Sequence, residues 1–128
     1  MNLQTIVVVA SGGVFGAISR YAIIDFSNKY LDNKIPFGTL YVNLIGSLFI
    51  GILFAYLHST DGISNNLKLF MATGFLGALT TYSTFALESF LLMNDKHYIE
   101  ALINIVLNSF GTIILVAIGY SITTNLIK

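Results

Sequence analysis

The sequence predicts an all-α membrane protein built from four transmembrane helices. Hydrophobic residues make up 55% of the 128 positions, charged residues make up only 9%, and the apolar stretches between the charges are long. A globular domain carries about 25% charged residues, so the composition argues against a soluble protein. We expect one four-helix transmembrane domain over residues 1–128.

Each expected span is an apolar stretch of the length that a helix needs to cross the hydrocarbon core, about 20 residues. The four stretches cover residues 5–24, 37–57, 68–93 and 99–124. The connections between them are short, so consecutive helices should lie antiparallel as neighbours. The first connection is expected to run from Asp25 to Pro36.

The orientation of the bundle is weakly specified, because four spans place both termini on one side of the membrane. Cationic residues divide almost evenly between the sides: Lys68 and Lys128 on one, Lys29, Lys34, Lys96 and Arg20 on the other. A small difference of this kind sets no firm orientation. It favours an antiparallel, dual-topology homodimer, since inverted pairs and two-fold dimers are recurrent plans. A protein of single orientation with a weak signal is the alternative.

Small residues recur in the first two spans, where they allow helix backbones to approach closely. They are Gly12, Gly13, Gly16 and Ala17 in the first span, and Gly46, Ser47 and Gly51 in the second. This pattern indicates a tightly packed bundle. It does not decide between packing within one subunit and contact between two.

Polar side chains form a stripe on each of two spans, at the four-residue spacing that keeps them on one helix face. The stripes are Thr39, Asn43 and Ser47 in the second span, and Asn104, Asn108 and Thr112 in the fourth. Interhelical hydrogen bonds alone, worth about 0.6 kcal/mol each in measured cases, are one interpretation. A pathway that replaces an ion's hydration shell is the other.

The third span contains the segment 73–85, which combines two glycines with a cluster of hydroxyl-bearing residues. Glycine and β-branched threonine weaken a helix, so a break is expected there. A break at this depth is tolerated only where the backbone is buried or lines a cavity. Freed carbonyls can bind a cation, and freed amides at a half-helix start favour an anion.

Two ionisable residues fall within the spans, Arg20 in the first and Glu88 in the third. A salt bridge or snorkelling explains such residues as well as a functional role does. A four-span coupled exporter of the small multidrug resistance type is the alternative function, but it needs a carboxylate in the middle of its first helix, and the expected span 5–24 contains none. Cysteine is absent and no phosphate-binding glycine loop appears, so we expect no enzyme.

Three segments resemble the Fluc family of fluoride channels, also called CrcB. They are GGVFGAISRY at 12–21, FGTLYVNLIGS at 37–47 and GFLGALTTYSTF at 74–85. The resemblance implies a channel in the cell inner membrane that exports fluoride down its electrochemical gradient. It also implies an antiparallel homodimer with two pores, and a structural Na⁺ held by the backbone carbonyls of Gly77 and Thr80.

The same resemblance implies which side chains meet fluoride. The pore set is Asn43, Tyr82, Ser83, Thr84, Phe85, Glu88, Asn108 and Thr112, with Arg20 in a vestibule or as an anchor. Ring edges carry partial positive charge and suit an anion. Tyr82 stands where the family has a phenylalanine, and Asn108 aligns with a usual serine. Both replacements keep a ring edge or a hydrogen-bond donor.

Overall fold

The computed structural model describes residues 1–32 and 34–128, and within them four helical spans are long and apolar enough to cross a membrane. The first two spans are the single helices α1, Leu3–Tyr30, and α2, Phe37–Ser59. The four predicted spans are therefore confirmed. The antiparallel pairing with a second copy stays a prediction.

The third span, Asn65–Asn94, consists of several segments. They are α3, Asn65–Lys68, a π-helical segment, Leu69–Leu76, then α4, Gly77–Leu79, and α5, Tyr82–Asn94. The fourth span has a similar interruption: α6, Tyr98–Val106, a π-helical segment, Leu107–Gly111, and α7, Thr112–Ile127. Wide π-helical turns of this kind are frequent at functional sites.

The first helix is longer than expected, so the predicted loop from Asp25 is wrong over its first six residues. Asp25 and Lys29 lie one turn apart and form an ion pair of 2.7 Å within the helix. Such pairs stabilise a helix, and a lysine is favourable at a helix C-terminus. The helix closes where the Leu31 amide donates to the Ser27 carbonyl at 2.9 Å. Asn33, also in the predicted loop, lies outside the described residues.

Thr80 and Thr81 are non-helical residues between α4 and α5, and both have extended backbone. Thr80 has ψ 155°, and Thr81 has φ −150° and ψ 112°. The Thr80 amide still donates to the Leu76 carbonyl at 3.1 Å, which completes the last bond of the preceding helical segment. Thr81 then caps α5, because its hydroxyl accepts from the Thr84 amide at 3.4 Å. These two threonines lie near the middle of the third span.

Glycines bring the helices into direct backbone contact at two interfaces. A Cβ at Gly12 or Gly16 would overlap a backbone oxygen of the π-helical segment Leu69–Leu76. In the same way, a Cβ at Gly51 would overlap the Val116 carbonyl of α7. These glycines therefore pack within one subunit, which was one of the two interpretations of the small-residue pattern. Gly13 differs, because a Cβ there would meet only open space.

Gly51 and Gly13 differ in the space available to a Cβ, and this difference predicts opposite effects of alanine on thermal stability. Gly51→Ala should lower the thermal unfolding temperature, since α2 and α7 must separate to admit the methyl group. Overpacking of this kind typically costs about 1–3 kcal/mol. Gly13→Ala should leave the unfolding temperature at or above that of the wild type, because alanine also improves helix propensity. Equal unfolding temperatures for the two variants, measured in detergent, would contradict the packing described here.

Candidate functional site

An open cavity of about 530 Å³ lies where α2, the Thr80–Thr81 pair and the fourth span meet. Its polar lining residues are Asn43, Ser47, Thr80, Thr81, Tyr82, Asn108, Ser109 and Thr112. Phe85, Leu76 and Ile113 are among its apolar lining residues. The cavity is thus lined by residues from the polar stripes of the second and fourth spans and by the extended residues of the third.

The side chain of Asn43 pairs with both polar groups of the Thr81 backbone. The Thr81 amide donates to Asn43 Oδ1 at 2.8 Å, and Asn43 Nδ2 donates to the Thr81 carbonyl at 3.1 Å. Asn43 is 8% exposed and Thr81 is 7% exposed, so water is largely excluded from this pairing. The side-chain amide replaces the helical partners that Thr81 gives up, which keeps the break satisfied.

The two polar stripes are joined by hydrogen bonds between their amides. Asn43 Nδ2 donates to Asn108 Oδ1 at 2.8 Å, and Asn108 Nδ2 donates to Asn104 Oδ1 at 2.9 Å. Thr112 donates back to the Asn108 carbonyl at 2.6 Å. These residues therefore hold the bundle together, and the donors of Asn43 and Thr112 are already engaged in the single chain.

Two aromatic rings lie at the start of α5. The centroids of Tyr82 and Phe85 are 5.4 Å apart with 74° between the planes, an edge-to-face arrangement. Phe85 is buried, whereas Tyr82 is 80% exposed on the surface of the single chain. Both residues line the cavity.

Hydroxyl groups cluster around the same helix start. Thr81 Oγ1 donates to Thr84 Oγ1 at 3.0 Å and lies 3.5 Å from Ser83 Oγ. Because Thr84 accepts this bond, its own hydroxyl proton can point elsewhere. Ser83 and Thr84, both predicted pore residues, thus lie directly beside the cavity-lining Thr81.

Glu88 lies one helical turn further along α5 and contacts the outer end of the α2 stripe. Thr39 donates to Glu88 Oε1 at 2.7 Å, so Glu88 bonds to the first hydroxyl of the stripe. Oε2 is buried and accepts no hydrogen bond from the described residues. A buried carboxylate oxygen without a donor is costly, so this atom can accept a further donor. Its role at a pore end stays a prediction.

Arg20 lies on the face of α1 that Gly12 and Gly16 define, at the same four-residue spacing. That face packs against the third span. Among residues 1–32 and 34–128 the ion pairs are Asp25 with Lys29 and His97 with Glu100, so Arg20 has no salt bridge there. Its predicted role as a vestibule charge or an anchor is not decided by these contacts.

The carbonyls of Gly77 and Thr80 lose the amide donors that a continuous helix would provide. Thr81 donates to Asn43 instead of to Gly77, and Thr84 donates to the Thr81 hydroxyl instead of to Thr80. Both carbonyl-bearing residues line the cavity. In transporters with discontinuous helices, unwound carbonyls and the C-terminal ends of half-helices coordinate Na⁺, so these two carbonyls are of the kind that the expected ion needs.

Three polar residues of the cavity lining, Ser47, Thr81 and Ser109, were not among the predicted site residues, although Ser47 belongs to the predicted stripe of the second span. Thr81 was part of the expected break, but its pairing with Asn43 had no signal in the local sequence. Ser109 lines the cavity although it is off the stripe of Asn104, Asn108 and Thr112. It lies in the π-helical segment Leu107–Gly111, where more residues per turn widen the face of the helix.

Four apolar spans, three of which line an open cavity that contains polar side chains, define a multi-pass membrane protein with a candidate pathway for a small polar solute. The family model described as CrcB-like protein, Camphor Resistance (CrcB), matches residues 7–120. The chain belongs to the CrcB family.

Several curated relatives carry the name fluoride-specific ion channel FluC. The protein of Sulfurimonas denitrificans is 49% identical over 122 residues, 95% of each chain. That of Campylobacter jejuni is 44% identical over 120 residues, 94% of this chain and 98% of the relative. That of Nitratiruptor sp. is 46% identical over 113 residues, 88% of this chain and 87% of the relative. The name they share describes an ion channel and not an enzyme.

Proposed function

We propose that this protein is a fluoride-selective ion channel of the cell inner membrane. The observation that carries the proposal is the cavity that hydroxyl-bearing residues and two aromatic residues line between membrane spans, in a chain whose relatives are named fluoride channels. Polar groups inside a membrane are costly, and they generally mark a substrate or ion pathway.

Fluoride is small and strongly hydrated, so a pore must replace the water that it sheds. The hydroxyls of Ser83 and Thr84 and the ring edges of Tyr82 and Phe85 offer donors and partial positive charge. Asn43, Asn108 and Thr112 complete the pathway, and Thr39 with Glu88 forms its end. Arg20 attracts the anion or anchors the bundle. Conduction also requires that these contacts be weak enough to release the ion.

Transport is passive and outward. A negative interior drives an anion out with about 2.3 kcal/mol per elementary charge for each 100 mV. No ATP hydrolysis and no coupling ion is needed.

The functional unit is an antiparallel homodimer with two pores. Tyr82, Ser83 and Gly77 are exposed on the single chain although they lie in the middle of the third span. Hydroxyls and free carbonyls facing lipid at this depth would be costly. A second copy that covers this surface removes the cost and closes the open cavity into a pathway.

A structural Na⁺ lies between the two subunits of this dimer. Gly77 and Thr80 of each subunit supply carbonyl oxygens, which the Asn43–Thr81 pairing leaves without helical donors. A bound Na⁺ would be held by these carbonyls and would supply positive charge for their dipoles to face. The proposal uses only the backbone of Thr80, whose hydroxyl donates to the Leu76 carbonyl at 3.0 Å.

Potential-driven efflux from liposomes tests the function directly. Purified protein in liposomes loaded with fluoride should release it when a potassium gradient and valinomycin set the membrane potential, with release followed by a fluoride electrode. Chloride-loaded liposomes should release far less, and protein-free liposomes provide the background. The rate should not depend on a pH gradient. Efflux that requires a proton gradient would instead indicate a coupled exporter.

The even charge balance predicts how the dimer responds to added lysines. Lysines placed at one end of the bundle should lock all chains in one orientation, because positive residues are retained on the cytoplasmic side. Such a variant should lose efflux, and coexpression with an oppositely locked variant should restore it. Full activity of one locked variant alone would rule out the antiparallel dimer.

A further inference from the structure

We propose that Asn104 is a positioning residue of the pathway. It sets the orientation of the amides of Asn108 and Asn43, and through them it holds the Thr81 backbone out of the helix. The proposal rests on the function proposed above, because it assigns a task to a residue outside the cavity lining. Asn104 is fully buried, with 0% exposure, and α6 carries it next to Ser89 of α5.

The direction of the hydrogen bonds starts at Ser89. Its single hydroxyl proton is donated to the Phe85 carbonyl at 2.8 Å, so the oxygen can only accept from its other neighbour. Asn104 must therefore present its NH₂ group, and Nδ2 donates to Ser89 Oγ at 3.0 Å. This leaves Asn104 Oδ1 facing Asn108, the next residue in this series of hydrogen bonds.

Each following amide has its orientation set by the one before it. Asn108 Nδ2 donates both to Asn104 Oδ1 at 2.9 Å and to the Asn104 backbone carbonyl at 3.1 Å, so Asn108 presents its NH₂ group to Asn104. Asn108 Oδ1 then faces Asn43, which presents Nδ2, at 2.8 Å. This orientation of Asn43 agrees with its pairing to Thr81, in which Oδ1 accepts from the Thr81 amide and Nδ2 donates to the Thr81 carbonyl. A flip of any one amide would place two donors or two acceptors face to face.

The series links two features of the pathway that are otherwise separate. One end is the carbonyl of Phe85, whose ring lines the cavity, and the other is the backbone of Thr81. Ser89, Asn104, Asn108 and Asn43 are all at least 92% buried, so water is largely excluded from these bonds. In such surroundings a hydrogen-bond series is strong when complete, and costly when one member is missing.

The test measures the hydrogen exchange of the Asn43 side-chain amide after a substitution at a residue to which Asn43 is not directly bonded. In protein with ¹⁵N-labelled asparagine, the side-chain amide signal of Asn43 is assigned by its loss in Asn43→Ala, and its hydrogen exchange is followed by NMR. The variants are Asn104→Leu and Ser89→Ala, with Ser89→Thr as the conservative replacement and Asn125→Leu as the control. Asn125 is an exposed asparagine of α7. Fluoride efflux is measured on the same preparations.

We expect exchange at Asn43 to rise roughly tenfold in Asn104→Leu, as the loss of about one ordinary hydrogen bond implies. Ser89→Ala should shift it in the same direction, Ser89→Thr should restore it, and Asn125→Leu should leave it unchanged. Fluoride efflux should fall in step with faster exchange. If Asn104→Leu is folded and its Asn43 amide exchanges at the wild-type rate, the proposal is overturned. If Asn104→Leu does not assemble, a wild-type exchange rate of Asn43 in Ser89→Ala overturns it instead. Responsive exchange in a protein whose wild type releases no fluoride would support the positioning role and refute the channel function.

Discussion

Replacing Asn43 by alanine should lower fluoride efflux at least about tenfold while leaving the protein assembled. The change removes hydrogen bonds to the Thr81 amide, the Thr81 carbonyl and Asn108. A stranded buried polar group costs about 1–3 kcal/mol, so the backbone will relax to satisfy Thr81 in another way. The nearest remedy is a helical bond from the Thr81 amide to the Gly77 carbonyl. This bond would shorten the break and occupy a proposed Na⁺ ligand.

Two measurements separate this effect from unfolding. Size-exclusion chromatography should show the Asn43→Ala protein at the wild-type position, and the liposome assay should show the loss of efflux. Asn125→Ala, which truncates an exposed asparagine at the end of α7, is the matched control and should behave as the wild type. Normal efflux from correctly assembled Asn43→Ala would place the pathway elsewhere in the molecule.

The second large effect is expected at the aromatic pair. Tyr82→Ile and Phe85→Ile keep apolar bulk but remove the polarised ring edges, so each should strongly reduce fluoride efflux. Tyr82→Phe keeps the edge and should preserve selective efflux, unchanged or faster. A faster rate would mean that the hydroxyl holds fluoride, since conduction depends on release.

Thermal stability distinguishes a pore role of Tyr82 from a packing role. If its hydroxyl satisfied a buried carbonyl, Tyr82→Phe would lower the free energy of unfolding by about 0.5–1.5 kcal/mol. Within one chain Tyr82 is 80% exposed, and its hydroxyl bonds to none of the described residues, so a loss of stability in Tyr82→Phe would indicate an acceptor on the second copy of the proposed dimer. We expect unchanged stability, because the hydroxyl faces the pathway in the proposed function. Normal efflux from Tyr82→Ile would remove the ring edge from the mechanism at this position.

The parts of this fold that the sequence predicted are those that depend on composition and periodicity. Apolar length alone identified the four spans, and four-residue spacing placed Asn43 and Asn108 on the faces that meet. The end of α1 was missed because charge was taken as a sign of a loop. Asp25 and Lys29 neutralise each other along the helix surface, so the helix continues past them.

The parts that the sequence did not predict depend on contacts between distant residues. The partner of Asn43 is the Thr81 backbone, 38 positions away, and no local sequence pattern predicts that pairing. The presence of Ser109 in the cavity depends on the width of a π-helical turn, which packing determines. The resemblance to a known family supplied roles for Gly77 and Thr80, but the reason their carbonyls are free became visible only with Asn43 in place.

The extended conformation of Thr80 and Thr81 has a consequence for the order in which the chain matures. The segment contains no proline, and its extended shape depends on a side chain from another helix. In the isolated third span we therefore expect helical bonds to form across Thr80 and Thr81, although the local glycines and threonines weaken them. During synthesis α2 emerges before α5, and Asn43 is then already present to capture the Thr81 peptide. Asn108 is synthesised last, so it can only stabilise the extended conformation of Thr80 and Thr81 after that conformation has formed. The shape of this span is thus acquired during biogenesis, after insertion and through its neighbours.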